Sequence, residues 1–301
     1  MNRRHVLALG AAAALARALP AFAQGAPLLR RPIPRTGEML PAVGVGTSIV
    51  FNVGEDKAKR AEIRAVLEAL VAGGGTLIDT APSYRTSEAV IGDLLQEAKL
   101  RDKVFIATKV AVRERAATVA EMQQSQRRLK TQKFELEQLH NVTDPNTDLG
   151  LFREWQRQGL CRYFGITTSD ERHHAALAAV ARREQPDFVQ INYSIADRAA
   201  EKLLPAFKDQ GAAVLINMPF GRDRLFRLVR GKTLPDWAAE FDAKTWGQFF
   251  LKYLLANEAV TAVIPATSKA EHMLDNLGAG RGKLPDRAMR ARMVGFIDSL
   301  S

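Results

Sequence analysis

"GGGTLIDTAPSYRTSEAVIG", residues 73–92, holds one unit of the pattern from which the rest of the chain is built. A glycine turn leads into the apolar run Thr76–Thr80, which predicts a strand, and Ser87–Ala98 then predicts an amphipathic helix. Asp79 lies at the end of the apolar run, and Tyr84 follows on the loop. A strand with a Val, Leu or Ile core needs neither an acid nor a phenol at its end, so these two side chains indicate a site.

The same alternation of apolar run and helical segment continues through the chain. The predicted strands are a run ending at Thr47, then Thr76–Thr80, Lys103–Lys109, Phe134–His140, Cys161–Thr167, Asp187–Ser194, Ala212–Pro219 and Val260–Thr267. Continuous apolar strands are buried on both faces, which is typical of a parallel sheet. Eight strand–helix units predict an α/β fold of the (β/α)8 TIM barrel type, and we expect residues 30–301 to form a single such domain. The alternative, an open doubly wound sheet, is less favoured because no glycine-rich phosphate fingerprint follows a strand.

The N-terminal segment resembles a bacterial export signal. Arg3 and Arg4 precede an alanine-rich apolar stretch, and Ala21-Phe22-Ala23 provides small residues for a signal peptidase. We expect residues 1–23 to be a signal peptide of the twin-arginine type, which places the mature protein in the periplasm. The alternative is an amphipathic helix that stays attached to a cytoplasmic protein.

Composition excludes several classes of function. The 301 residues carry a formal charge of +10, and removing the three arginines of the predicted leader leaves 10 − 3 = +7. The basic residues are interspersed with acidic ones, so we expect neither nucleic-acid binding nor stable membrane insertion. The single cysteine, Cys161, excludes an internal disulfide and a cysteine-based metal site. A monomer is expected, although no feature of the sequence fixes the oligomeric state.

Three consecutive predicted strands end in side chains that are candidate catalytic residues. Asp79, Lys109 and His140 lie at the ends of the second, third and fourth strands, with Tyr84 on the loop after Asp79. Active sites of this type of barrel lie at the carboxyl ends of the strands, and neighbouring strands are about 5 Å apart. We therefore predict that these four side chains share one pocket.

The expected chemistry follows from the residue types. An ammonium beside a phenol favours the phenolate, an aspartate holds that ammonium charged, and an imidazole can orient a carbonyl oxygen. Tyr84 would then act as a general acid towards a carbonyl group. Because no side chain supplies hydride, a nicotinamide cofactor is the expected reductant. The remaining histidines and Cys161 are expected to be structural, with the pair His173-His174 on a solvated helix face.

These residues resemble the aldo-keto reductase family. "GGGTLIDTAPSYRTSEAVIG" is similar to that family's first signature, while "ATKV" and "LEQLHN" provide its lysine and histidine as Lys109 and His140. The likeness extends from about Pro34 to Asn276.

The resemblance implies reduction of small aldehydes or ketones with NADPH, NADH being the alternative, and with Tyr84 as proton donor. It implies that Gln190 binds the nicotinamide carboxamide and Asn276 the adenine, with Asp275 at the acidic position beside it. The full set of residues that we expect to bind the cofactor is Thr47, Thr167, Gln190, Asn217, Pro219, Thr267, Ser268, Lys269, His272, Asp275 and Asn276.

The sequence departs from the family pattern at cofactor positions. Thr167-Thr168 replaces Ser-Asn, and Asn217 occupies the place of an aromatic ring that often stacks on the nicotinamide. Ala266 and His272 replace a lysine and an arginine of the phosphate-binding segment. A second hypothesis therefore stays open, that of an exported binding or scavenging protein on a reductase barrel with an altered cofactor site.

Overall fold

The computed structural model of the chain describes residues 26–111 and 114–300. The predicted export signal lies outside these residues. Within them, no helix is both long and apolar enough to cross a membrane.

The described residues form a small hairpin and a large parallel sheet. The hairpin pairs β1 (Arg30–Pro32) with β2 (Met39–Pro41) in antiparallel register. The parallel strands are β3 (Val45–Gly46), β4 (Leu77–Asp79), β5 (Phe105–Val110), β6 (Phe134–Leu139), β7 (Cys161–Thr167), β8 (Phe188–Asn192), β9 (Ala213–Asn217) and β10 (Ala262–Val263). Each strand pairs with the next along the chain, which gives the simplest parallel topology.

The sheet closes on itself between its first and last strands. Parallel bridges join Val43 to Val263 and Gly46 to Ala266, and the Gly44 amide donates to the Val263 carbonyl at 2.9 Å. The eight strands therefore form the predicted (β/α)8 TIM barrel.

Helices cover the outside of the barrel between successive strands. They are α1 (Lys57–Ala72), α2 (Ser87–Glu97), α3 (Arg115–Arg128), α4 (Gly150–Arg157), α5 (His174–Glu184), α6 (Leu204–Asp209), α7 (Arg224–Leu228), α8 (Trp246–Leu255), α9 (Ala270–Ala279) and α10 (Arg287–Asp298). α2 lies very close to the end of α3, since a methyl group on Gly92 would be 2.1 Å from the Arg128 carbonyl oxygen. Glycine is therefore required at position 92.

The hairpin closes the end of the barrel at which the strands begin. Ile33 and Leu40 pack with Leu77, Phe105 and Phe188 in the apolar interior of the barrel. Because the hairpin fills this end of the barrel, the interior of the barrel is reached from the opposite end, where the strands finish.

Two predicted elements are less than half as long in the structure, in both cases because of proline. The last strand, predicted over Val260–Thr267, is β10 at Ala262–Val263, and Pro265 beyond it has no amide to donate to a ladder. The sequence pattern also predicts a helix over Arg198–Gln210, of which only Leu204–Asp209 forms α6, with Pro205 in its first turn. Proline is tolerated in a first turn but not in a helix interior.

Candidate active site

A buried ion pair joins the ends of β4 and β5. Lys109 Nζ donates to Asp79 Oδ1 at 2.6 Å and to the Thr80 carbonyl at 2.8 Å. Both side chains are almost fully buried, with 1% of the lysine and 4% of the aspartate side chain exposed. Buried charges are tolerated only when they are paired and hydrogen-bonded, and this pair meets both conditions.

Two glutamines complete the hydrogen bonding of the aspartate. Gln138 and Gln190 donate to Asp79 Oδ2 at 3.1 and 2.7 Å. Thr47 fixes the backbone at the same point, because its amide and its hydroxyl both donate to the Asp79 carbonyl. The carboxylate is thus held by side chains from three other strands, β5, β6 and β8, and the backbone of Asp79 is held by Thr47.

Tyr84 lies above this ion pair on a short loop. Pro82–Tyr84 forms one turn of 3-10 helix, in which the Tyr84 amide donates to the Ala81 carbonyl at 3.0 Å. Lys109 Nζ is 5.2 Å from the centre of the tyrosine ring. The His140 ring stands edge-on to the same ring, with 6.0 Å between the centroids. The structure therefore brings together all four side chains predicted to share a pocket.

The surroundings fix the charge state of the lysine and the histidine. Burial alone disfavours the ammonium, but Asp79 and Tyr84 outweigh it and raise the pKa of Lys109 above its usual 10.5. Burial and the positive charge of Lys109 lower the pKa of His140 to about 4, although Asp79 opposes them. At neutral pH Lys109 is therefore a cation and His140 a neutral imidazole, which can donate a hydrogen bond.

A pocket of about 670 Å³ opens directly over these residues. Asp79, Tyr84 and His140 lie in its wall, together with apolar side chains that include Ile49, Val50, Met218 and Phe220. The pocket thus combines the polar groups of the predicted catalytic residues with apolar wall residues.

The predicted cofactor residues divide into two groups. Five of them line the pocket: Thr47, Thr167, Gln190, Asn217 and Pro219. The other six lie beyond it, in the segment that runs from the end of β10 into α9: Thr267, Ser268, Lys269, His272, Asp275 and Asn276. Ala266 belongs to the pocket wall and joins the two groups.

Two of the six residues beyond the pocket have structural contacts of their own. Asp275 accepts hydrogen bonds from Thr245 and Gln248 at 2.7 and 2.8 Å, so it fixes the start of α8 against α9. The Thr267 hydroxyl accepts from the Lys269 amide at 3.1 Å, just where α9 begins. Lys269 and His272 are exposed, while Asn276 is buried.

The sequence reasoning missed Gln138 and misplaced His174. Gln138 lies two residues before His140, so the alternation of a strand would have placed both on the inner face of the barrel. His174 was expected on a solvated surface, but it is buried and its Nε2 is 2.9 Å from Asn192 Oδ1. That prediction is wrong because α5 turns this face of its first turn towards β8. Cys161 is buried, as predicted, and burial raises the pKa of its thiol.

Residues 42–292 match the Aldo/keto reductase family. The chain belongs to this family. It is accordingly an NAD(P)H-dependent oxidoreductase.

Individual members of this family are also similar to the chain. The chain is 27% identical over 298 residues to aldo-keto reductase str7 of Strobilurus tenacellus, covering 82% of this chain and 84% of that one. It is 29% identical over 249 residues to methylglyoxal reductase YeaE of Escherichia coli, covering 79% and 84%. Among solved structures, an aldo-keto reductase from Klebsiella pneumoniae in complex with NADPH superposes with a TM-score of 0.72 at 26% identity, covering 91% and 95%.

A second buried acid, Glu137, lies next to Gln138 on β6. Glu137 precedes Gln138 and faces outwards from the barrel. Its side chain is fully buried, and neither of its carboxyl oxygens has a hydrogen-bond partner. Burial raises the pKa of Glu137 well above its usual 4.5, and the charges of Glu88 and Glu121 raise it further, against an opposing effect of Lys109. Glu137 is therefore expected to be protonated in the folded protein over a pH range in which it ionises in the unfolded chain.

Glu137→Gln should stabilise the protein increasingly as the pH rises. Because the folded-state pKa is raised, the parent loses stability once the pH exceeds the unfolded-state value of about 4.5, and the neutral amide does not. The difference in Tm between variant and parent should thus increase between about pH 5 and pH 8. Thermal unfolding at a series of pH values measures it, with Glu62→Gln on the exposed face of α1 as the control that should show no such trend. A constant difference would mean that Glu137 is already ionised in the folded state.

Proposed function

We propose that this protein reduces small aldehydes and ketones to alcohols, with NADPH as hydride donor and Tyr84 as proton donor. The observation that carries the proposal is the cluster of Tyr84, Lys109 and His140 at the pocket that opens over the ends of the strands. The pocket volume of about 670 Å³ suits a small carbonyl compound beside a nicotinamide ring. Family membership supplies the reaction class, and the name of the Escherichia coli relative is in keeping with a small dicarbonyl substrate.

In this proposal each of the clustered side chains has one task. Tyr84 gives its hydroxyl proton to the carbonyl oxygen, and the ammonium of Lys109 stabilises the phenolate that remains. Asp79 keeps Lys109 protonated and fixed through the 2.6 Å ion pair. His140, which is neutral because of its lowered pKa, donates a hydrogen bond to the carbonyl oxygen and orients it. The bound cofactor supplies the hydride to the carbonyl carbon.

The residues present fit a nicotinamide cofactor. The polar wall of the pocket contains Gln190 and Asn217, and Asn217 Oδ1 is a buried acceptor without a partner, which a bound ligand can satisfy. From Ala266 the chain continues to the half-buried Ser268 and the exposed Lys269, along which the adenosine half would extend. The free hydroxyl and ammonium groups there favour a ligand with a phosphate.

The alternative function is a binding protein that uses the same barrel without turnover. Asn217 and Ala266 support it, because neither supplies the stacking ring or the phosphate-binding cation that the resemblance implies at those positions. Titration of the full chain with NADPH and with NADH in a calorimeter separates the two functions. Saturable binding supports the reductase, whereas the absence of heat with both cofactors would leave only the binding protein.

Tyr84→Phe should lower kcat for carbonyl reduction by about 10²- to 10⁴-fold, because the proton donor is lost. The affinity for NADPH should stay nearly unchanged, since the ring and the pocket wall remain. The measurements are NADPH oxidation with a small aldehyde and calorimetric titration of the same preparation.

Tyr193→Phe is the matched control for this variant. Tyr193 is fully buried, and its hydroxyl contacts Tyr253 and Arg290 rather than the pocket. It should retain turnover. A Tyr84→Phe protein as active as the parent would remove Tyr84 from its proposed role.

We also propose that the reductase is exported through its N-terminal segment. Arg3, Arg4 and the Ala21-Phe22-Ala23 sequence support this proposal, and a twin-arginine route would carry the folded protein with its cofactor bound. Cell fractionation followed by N-terminal sequencing tests it. A periplasmic protein that begins at residue 24 is expected, and a cytoplasmic protein that keeps residues 1–23 would contradict it.

A further inference from the structure

A second concave site lies at the closed end of the barrel, away from the catalytic residues. It is a pocket of about 400 Å³ between the β1–β2 turn, the end of α4, the start of β7 and the segment between α5 and β8. Its lining and that of the catalytic pocket have no described residue in common. On β7 the two pockets are separated by the strand from Arg162 to Thr167, which spans roughly 16 Å at about 3.3 Å per residue.

Arginines outnumber carboxylates in this pocket. The lining arginines are Arg35, Arg153, Arg157, Arg162 and Arg183, and the lining carboxylates are Glu184 and Asp187. One further carboxylate, that of Glu38 on the hairpin, pairs with Arg162. Five positive charges against three negative ones leave a net charge of +2.

The two lining carboxylates are already used to hold the fold together. Glu184 accepts from Arg153 at 2.8 Å and from Arg183 at 2.7 Å, so one carboxylate serves two guanidinium groups. Asp187 pairs with Arg35 at 3.1 Å and also accepts from a backbone amide of β7. The excess positive charge is therefore not neutralised from within the pocket.

Arg157 is the least compensated of the five arginines. Its side chain is exposed, and within residues 26–111 and 114–300 it forms neither a hydrogen bond nor a salt bridge. Its charge acts on Glu154 at longer range, but Glu154 is already paired with Arg115. The N–H donors of Arg157 are thus available to a ligand.

Helix ends explain only part of this charge. Arg157 and Arg183 lie in the last turns of α4 and α5, where a cation is favourable because the free carbonyl groups carry negative partial charge. Arg35 and Arg162 lie on the hairpin turn and on β7, where no helix ends. The convergence of these two residues on the same pocket needs another reason, and a bound anion supplies one.

Two of the guanidinium groups are held in place by aromatic rings. Arg162 lies over the Tyr163 ring at 5.3 Å, and Arg153 lies over the Phe164 ring at 5.6 Å. A guanidinium group that is already fixed loses little freedom when it binds, and its planar fork matches the oxygens of a carboxylate or phosphate. The pocket is therefore prepared for an oxyanion.

We propose that this pocket binds the dianion of a small phosphate monoester. The double charge of the phosphate matches the net charge of +2, and its oxygens suit several guanidinium groups at once. The volume of about 400 Å³ leaves room for a small polar group esterified to the phosphate. A ligand at this position joins the hairpin to α4 and α5. The proposal is independent of the reductase activity, since the site lies at the other end of the barrel.

Calorimetric titration of the full chain tests the proposal, with NADP⁺ present at saturation so that the cofactor pocket is occupied. The probes are methyl phosphate and methyl sulfate, which have nearly the same shape but carry two charges and one charge at about pH 8. Methyl phosphate should bind at a single site, and about tenfold more tightly than methyl sulfate.

Two variants locate the site. Arg157→Gln should weaken the binding of methyl phosphate by about tenfold, because one charge-assisted contact is lost. The fold does not depend on a contact of Arg157, so the variant should keep the Tm of the parent. Arg182→Gln is the matched control, since it removes the same charge from the last turn of α5 at a residue outside the pocket lining. It should weaken binding by less than about twofold.

Three results would overturn the proposal. The first is the absence of saturable binding of methyl phosphate, or equal binding of the two probes. The second is an equal loss of affinity in Arg157→Gln and Arg182→Gln, which would mean that the general surface charge attracts the anion. The third is an Arg157→Gln protein that binds methyl phosphate as tightly as the parent, because the anion would then lie elsewhere.

Discussion

The ion pair between Asp79 and Lys109 is the interaction on which the rest of the site depends. Moving two charges out of water is expensive, and their attraction compensates only when the remaining donors and acceptors are also satisfied. Here the aspartate accepts from Lys109, Gln138 and Gln190, and the lysine also donates to a backbone carbonyl. The ammonium of Lys109 is therefore fixed in place beside the ring of Tyr84. Burial and the charge of the same ammonium lower the pKa of His140, so the imidazole beside Tyr84 is neutral.

The closed barrel makes this arrangement possible. Parallel register brings Asp79 opposite Ala107 on β5, so that Lys109 projects into the interior just beyond the end of β4. The hairpin fills the other end with Ile33 and Leu40, so the polar groups collect at a single opening. A ligand that enters there reaches the pocket over Asp79, Tyr84 and His140.

Much of this could be predicted from the sequence because it depends on local pattern. Apolar runs separated by helical segments predicted the barrel, and polar residues at three successive strand ends predicted that Asp79, Lys109 and His140 would converge. The predicted bounds of β10 and α6 were too wide. Pro265 and Pro205 interrupt the backbone hydrogen bonding there, and an apolar pattern alone does not show this.

The contacts between distant segments could not be predicted. The chain of amides from Asp79 through Gln190 to Asn217 spans three strands that are far apart in sequence. The burial of His174 and the attachment of Asp275 to α8 likewise depend on how neighbouring helices pack. A single sequence contains the residues for these contacts but no pattern that pairs them.

A double-mutant cycle on the ion pair tests the central claim most directly. Asp79→Asn, Lys109→Met and the double variant are compared with the parent for kcat of carbonyl reduction at saturating NADPH. If the two residues act as one unit beneath Tyr84, each single variant loses nearly as much activity as the double variant. Losses that multiply in the double variant would mean that Asp79 and Lys109 act independently, which would contradict this account.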